Sequence, residues 1–207
     1  ETLRQTAPGM SEWAISAVVR REAERLGQGE AFSAIACAGR SAAECHHQPG
    51  DTVLRRGQPL LADLGLKLDH VCADMTRCVS FGPPTPLWRE IYRIVLTANR
   101  TALRAIRPGV PCKAIDAVAR DVIKQAGYGA YFGHSLGHGL GLEVHESPSF
   151  STECTTELAP GMVLTVEPGI YLPGRLGIRI EDVILVTKNG CEVLTRTPRE
   201  LPRCVRI

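Results

Sequence analysis

The chain has 207 residues, of which 44% are apolar and 22% charged. That is enough for one large domain or two small ones with a buried core. Its 24 Lys and Arg against 22 Asp and Glu leave a net charge of only +2, which argues against a nucleic-acid or anionic-membrane partner. No apolar run nears the roughly 20 residues of a membrane span. No signal-peptide pattern occurs, and a start at Glu1 rather than Met is compatible with a piece of a longer chain.

In chain order, a helix end is expected before Ala7, Pro8 and Gly9, because proline cannot continue it. A second helix then runs to about Gly27, with Ala14, Ile15 and Val18 on one face. Strand-like material follows, including LLADLG around Asp63 and VCADMTRCVSF over 71–81, where Cys72, Asp74, Thr76 and Cys78 share a face. Residues 85–106 read as a long amphipathic helix with Leu87, Ile91, Ile94 and Val95 on one stripe.

After this helix the pattern starts again. Shifted by 100, residues 3–32 meet twelve identical residues in 103–132 without a gap, where chance gives about two. The matches include Pro8 over Pro108, Gly9 over Gly109 and Gly27 over Gly127. Further on the offset becomes 104, so Gly57–Gly65 lies over Gly161–Gly169 and Asp63 over Glu167. A duplication that keeps an acid at both symmetric places suggests that the two acids meet at a pseudo-twofold axis.

Eight cysteines fall at 37, 45, 72, 78, 112, 154, 191 and 204, with no C-x-x-C pair. That spacing argues against a structural zinc site. Scattered cysteines are expected to be small buried hydrophobes in a reducing compartment, hence a cytoplasmic protein.

Acids are depleted in strand interiors, yet Asp63, Asp74, Glu167 and Glu181 each sit in strand-like runs with apolar neighbours. Arg179 shares a face with Glu181 in LGIRIEDVILVT. Buried carboxylates must be paired or bound to a cation. Four carboxylates with a histidine exceed what one arginine balances and suit two divalent metals held by bridging carboxylates. The histidine comes from FGHSLGHGLGLEVHE over 132–146, which holds three of the chain's six histidines. It lacks both the dinucleotide-loop and the P-loop spacing. Nor can it be a helix, because Gly133, Gly137, Gly139 and Gly141 would each cost about 1 kcal/mol there. What remains is one metal-binding histidine, with the others aimed at a substrate.

The motifs CHHQP, LLADLG, ADMTR, GHGLGLEVHE, TVEPGIYLPGRLGIRIED and NGCEVLT together resemble the pita-bread metallopeptidases. That group holds Xaa-Pro aminopeptidases, prolidases, methionine aminopeptidases and creatinases, and the likeness is strongest to the Xaa-Pro branch. It runs from about residue 8 to about Thr195. The resemblance implies an α+β pita-bread fold: two pseudo-symmetric halves, about 1–82 and 101–195, joined by a helix in a single domain over 1–207. A curved antiparallel sheet would lie inside, with helices outside. The smaller N-terminal domain of the Xaa-Pro enzymes has no counterpart in these residues.

By the same resemblance, Asp63 would chelate one ion, His138 and Glu167 the other, and Asp74 and Glu181 would bridge. His46, His134 and His145 match histidines lining the substrate site. Creatinases and pseudo-enzyme relatives lose metal ligands, whereas this chain keeps all five. The implied activity is a metal-dependent exopeptidase cutting between an N-terminal residue and a following proline, using a hydroxide activated by two metal ions. Glu167 would be the general base. His145 would stabilise the oxyanion or relay a proton. His46, His134, Tyr171 and Arg179 would position substrate or brace the carboxylates, and for Arg179 bracing is as strong an expectation as substrate contact. Oxygen ligands with one imidazole favour manganese, with cobalt or zinc as substitutes. The expected partner is a peptide with proline at its second position, and a homodimer is compatible with the sequence. The alternatives are a prolidase restricted to Xaa-Pro dipeptides and a catalytically silent peptide- or protein-binding module on the same fold.

Overall fold

Proline stops a helix and a glycine turns the chain at two places 100 residues apart. A computed structural model describes residues 1–200, so Cys204 and the tail of the expected 1–207 domain lie outside the described residues. The short α1 (Thr2–Gln5) ends ahead of Pro8, and α2 (Glu12–Leu26) begins after it behind the capping hydroxyl of Ser11. The long α3 (Pro86–Ala105) ends ahead of Pro108, and α4 (Cys112–Gln125) follows. Gly9 and Gly109 have φ of 101° and 80°, a left-handed conformation that glycine adopts without a side-chain penalty.

The backbone bonds at the two turns also correspond. Gly9 N donates to Leu54 O at 2.8 Å and Leu54 N to Met10 O at 2.9 Å. Gly109 N donates to Leu158 O at 2.8 Å and Leu158 N to Val110 O at 3.0 Å. The helices thus repeat at an offset of 100 and the segments they bond at 104, as in the sequence.

The first half builds an antiparallel sheet in the order β1 (Ile35–Ala38), β2 (Pro59–Leu64), β5 (Met75–Ser80). A small hairpin, β3 (Lys67–Leu68) with β4 (Val71–Cys72), interrupts it. The second half builds β6 (Gly137–Gly139), β7 (Glu146–Phe150), β8 (Val163–Val166), β11 (Asp182–Val186) and β12 (Cys191–Val193) into a five-stranded sheet ordered β12-β11-β8-β6-β7. The hairpin of β9 (Gly169–Leu172) and β10 (Leu176–Arg179) completes the strands.

The single strand expected over 71–81 is broken at Ala73 and Asp74. Ala73 N bonds back to Leu66 O at 2.9 Å, closing the β3–β4 hairpin and taking Asp74 out of the ladder. The alternation survives the break: Cys72, Asp74, Thr76 and Cys78 are all buried.

The helix expected over 85–106 is α3, with Thr85 capping Trp88 N at 3.2 Å and proline in its first turn. It buries Trp88, Ile91, Val95, Ala98 and Ala102 against α4 and the strands of the second half. Ile91 and Val95 are fully enclosed, whereas Leu87 and Ile94 lie at the margin of the core. A separate cluster packs Ile15 of α2 onto Ala36, Leu60 and Val79. The seven described cysteines are free thiols, with Cys37, Cys72, Cys78 and Cys112 buried. Among the described residues no helix is long and apolar enough to cross a membrane.

Candidate metal centre

One strand and the breaks at the ends of three others deliver the acids to one place, so of the four acids expected in strand-like runs only Asp63 lies within a strand. Asp63, on β2, pairs across the ladder with Thr76 of β5. Asp74 enters from the break before β5. Glu167 follows β8, and Glu181 stands between β10 and β11. A bond from Glu181 N to Thr76 O at 3.2 Å links the two halves at the centre, and Glu167 N donates to Leu136 O at 2.8 Å.

His138 arrives on β6, whose approach to β8 depends on the glycine before it. A Cβ at Gly137 would lie 2.0 Å from Thr165 O, so any side chain there would force the strands apart. This is one reason for the glycines around the histidines. His138 Nδ1 lies 3.0 Å from Gly139 O, and a carbonyl partner requires that nitrogen to carry the proton. Nε2 therefore faces the acids, 3.3 Å from Glu167 Oε1 and 3.7 Å from Asp74 Oδ2. Asp74, His138 and Glu181 each offer a ligand atom within 4.8 Å of the others.

Arg179 braces the cluster from the cavity wall. It is 4% exposed, with Nη2 on Asp63 Oδ2 at 2.6 Å, Nε on Thr76 Oγ1 at 2.9 Å and Nη1 on the Tyr171 hydroxyl at 2.8 Å. The Thr76 hydroxyl donates onward to Glu181 Oε2 at 2.7 Å, and Thr165 Oγ1 donates to Glu167 Oε1 at 3.2 Å.

Burial first, and crowding of like charges behind it, set the protonation of the cluster. Burial, then the Asp63 and Glu167 charges, push Asp74 up to about 8. Burial and the charges of Glu167, Asp74 and Asp63 raise Glu181 well above the usual carboxylate range. Burial raises Asp63 in spite of Arg179. For Glu167, burial is outweighed by the His138 hydrogen bond and Arg179, which hold it low, and the same contact holds His138 high. Burial lowers His134 and His145, so both are neutral near pH 7.

These residues surround a cavity of about 340 Å³, lined also by Phe32, Ile35, Val144, His46, His134 and His145. The ring of His145 stacks edge-on against His138, 4.4 Å between centroids. Of the residues singled out in the sequence, Tyr171 alone does not line the cavity. Its hydroxyl sits behind the wall, between Arg179 and His134 Nε2 at 2.9 Å.

The donor set fits a divalent cation. Asp63 Oδ1 is buried and has no hydrogen-bond partner among the described residues, a costly state for a carboxylate oxygen unless a cation meets it. Four carboxylates with one imidazole nitrogen match hard to borderline metals.

Residues 1–188 match the profile of metallopeptidase family M24. The chain belongs to that family. Solved structures agree with an M24 pita-bread fold. An X-Pro aminopeptidase from Thermotoga maritima superposes with a TM-score of 0.94 at 43% identity, covering 97% of this chain and 57% of that one. A prolidase from Pyrococcus furiosus gives 0.93 at 42%, covering 95% and 59%. A Staphylococcus epidermidis peptidase of uncharacterised activity is 47% identical over 189 residues, covering 91% of this chain and 54% of its own length. The chain thus spans about half the length of the curated relatives it matches.

Two parts of this M24 centre carry no separate signal in the sequence. Thr76 and Thr165 each hold a carboxylate of the cluster. The only hint is the shared strand face, two residues from Asp74 and from Glu167.

Proposed function

We propose that this chain is the catalytic unit of a metal-dependent exopeptidase that removes an N-terminal residue from peptides with proline in second position. The observation that carries the reading is the meeting of Asp63, Asp74, His138, Glu167 and Glu181 around one cavity, with a buried carboxylate oxygen of Asp63 left unpaired. The names of the X-Pro aminopeptidase and prolidase neighbours support the substrate class.

In this reading the five residues hold two divalent ions, manganese by preference, with cobalt or zinc able to replace it. Bound there, such ions would supply Lewis acidity and lower the pKa of the attacking water. Glu167, ionised and oriented by Thr165 and His138, takes up the water's proton as general base. His145, neutral at the mouth of the cavity beside His138, stabilises the developing oxyanion or passes a proton to the proline nitrogen. His46 and His134 orient the peptide, while Tyr171 and Arg179 hold His134 and Asp63 in place. A cytoplasmic setting suits the seven free thiols.

Prolidases among the similar structures favour one second reading, a dipeptidase restricted to Xaa-Pro. Manganese-loaded protein should be assayed against a Leu-Pro dipeptide, a Leu-Pro-Gly tripeptide and a Leu-Ala-Gly control. Cleavage of the tripeptide before proline supports the aminopeptidase. Cleavage of the dipeptide alone supports the prolidase. Faster cleavage of the alanine control removes both.

A further inference from the structure

The loop that brings His46 to the cavity wall is held from two sides. On one, Arg179 Nη1 donates to Cys45 O at 3.2 Å. On the other stands Glu12, fully buried in the first turn of α2. Its carboxylate accepts from Ala38 N at 2.8 Å, Gly50 N at 3.1 Å, the Ser41 hydroxyl, and His47 Nε2 at 2.7 Å. His47 Nδ1 lies 3.1 Å from Glu44 Oε2. With both ring nitrogens against carboxylate oxygens, both must donate, and the ring is an imidazolium. It balances the buried charge of Glu12, which would otherwise be costly.

The internal repeat shows that the turn itself does not need this acid. Glu12 N bonds Thr52 O at 3.0 Å and Trp13 N bonds Gly50 O at 3.2 Å. At the equivalent place, Cys112 N bonds Thr156 O at 2.9 Å and Lys113 N bonds Cys154 O at 2.8 Å. The same backbone geometry forms around Cys112 without a carboxylate. The Glu12 side chain therefore serves something that only the first half has, and every group it holds belongs to the segment 38–50 that carries His46.

We infer that His47 is a positioning residue: clamped between Glu12 and Glu44, it fixes residues 44–50 and so sets where the neighbouring His46 ring meets the peptide. The inference rests on the proposed role of His46 at the substrate. The charged groups that meet the His47 ring are Glu12 from α2 and Glu44 from its own turn.

Two measurements on the metal-loaded protein test it. His47→Gln should lower kcat/KM on an Xaa-Pro peptide about tenfold, mainly through KM, because a misplaced positioning group weakens productive binding. The loss should vanish when His46→Ala is already present, since His47 acts through that ring. Glu44→Gln removes an exposed carboxylate that the fold does not need, and should give a smaller loss of the same kind. Amide hydrogen exchange should speed up at Ala38 and over 44–50 in His47→Gln, and stay unchanged in α3. Additive losses in the double variant, or unchanged kinetics together with unchanged exchange, overturn the inference. If the wild-type protein cleaves no Xaa-Pro peptide, the substrate reading has failed, and hydrogen exchange alone decides whether the clamp exists.

Discussion

Glu181 and Asp182 are adjacent in sequence yet serve opposite faces of the sheet at the start of β11. Glu181 turns inward, accepting from Thr76 Oγ1 at 2.7 Å beside Asp74 and His138. Asp182 turns outward and is fully buried, accepting from Arg77 Nη2 and Arg199 Nη1, each at 2.7 Å, and from Asn99 Nδ2 at 3.2 Å. Among the described residues Glu181 has no cationic hydrogen-bond partner and Asp182 has two.

The pair predicts opposite phenotypes. Asp182→Ala leaves the buried Arg77 guanidinium without its carboxylate and should cost roughly 3 kcal/mol, independent of metal. Glu181→Gln removes a buried acid whose ionisation burial and its like-charged neighbours oppose, so the metal-free protein should melt no lower than wild type. Manganese at a hundredfold excess over Kd should stabilise the wild type by about 2.7 kcal/mol for each ion bound, a rise of about 5–10 °C per ion for a chain of this size. That rise should shrink sharply in Glu181→Gln and persist in Asp182→Ala. Thermal melts with and without chelator read all three, and an equal rise in both variants contradicts the assignment.

Gly137 makes a second prediction, about backbone rather than charge. Gly137→Ala pushes a methyl group against Thr165 O and should cost about 1–3 kcal/mol by overpacking. It should also displace His138 and so weaken manganese binding. Gly133 has open space around it, and Gly133→Ala should change stability by less than about 0.5 kcal/mol. Calorimetric titration of both variants with manganese separates them. Equal affinities would remove Gly137 from the support of His138.

The third prediction concerns pH. Burial lowers the pKa of His47, but its hydrogen bonds to Glu12 and Glu44 outweigh that and raise it above the usual imidazole value. A raised folded-state pKa adds stability that is fully present below the unfolded value, about 6.5. That stability is lost as pH rises through the folded value. The stability gap between wild type and His47→Gln should therefore be wide at pH 6 and narrow at pH 9. Urea midpoints at the two pH values measure it, and a gap that widens with pH contradicts the ion pair.

Much of this centre is legible in the amino-acid sequence. Acids placed among apolar neighbours in strand-like runs mark Asp63, Asp74, Glu167 and Glu181, although only Asp63 lies inside a strand and the other three sit at strand ends or breaks. The repeat at offsets of 100 and 104 matches the paired turns at Gly9 and Gly109. What escapes a reading of the sequence depends on contacts distant along the chain. Thr76 reaches Glu181 across 105 positions and Arg179 reaches Asp63 across 116, and no local pattern encodes either. The break at Ala73 and Asp74 arises from the β3–β4 hairpin, whose two-residue strands are too short to announce themselves. The position of Tyr171 in its motif points to the substrate, and only packing shows its hydroxyl turned toward Arg179.

The central claim is that Asp63, Asp74, His138, Glu167 and Glu181 form a centre for two divalent ions. Counting metal by mass spectrometry after loading with manganese and dialysis tests it most directly. The account predicts two ions per wild-type chain and a reduced count in Glu181→Gln and in His138→Ala. A wild-type chain that retains no metal, or variants that retain as much as the wild type, would contradict it.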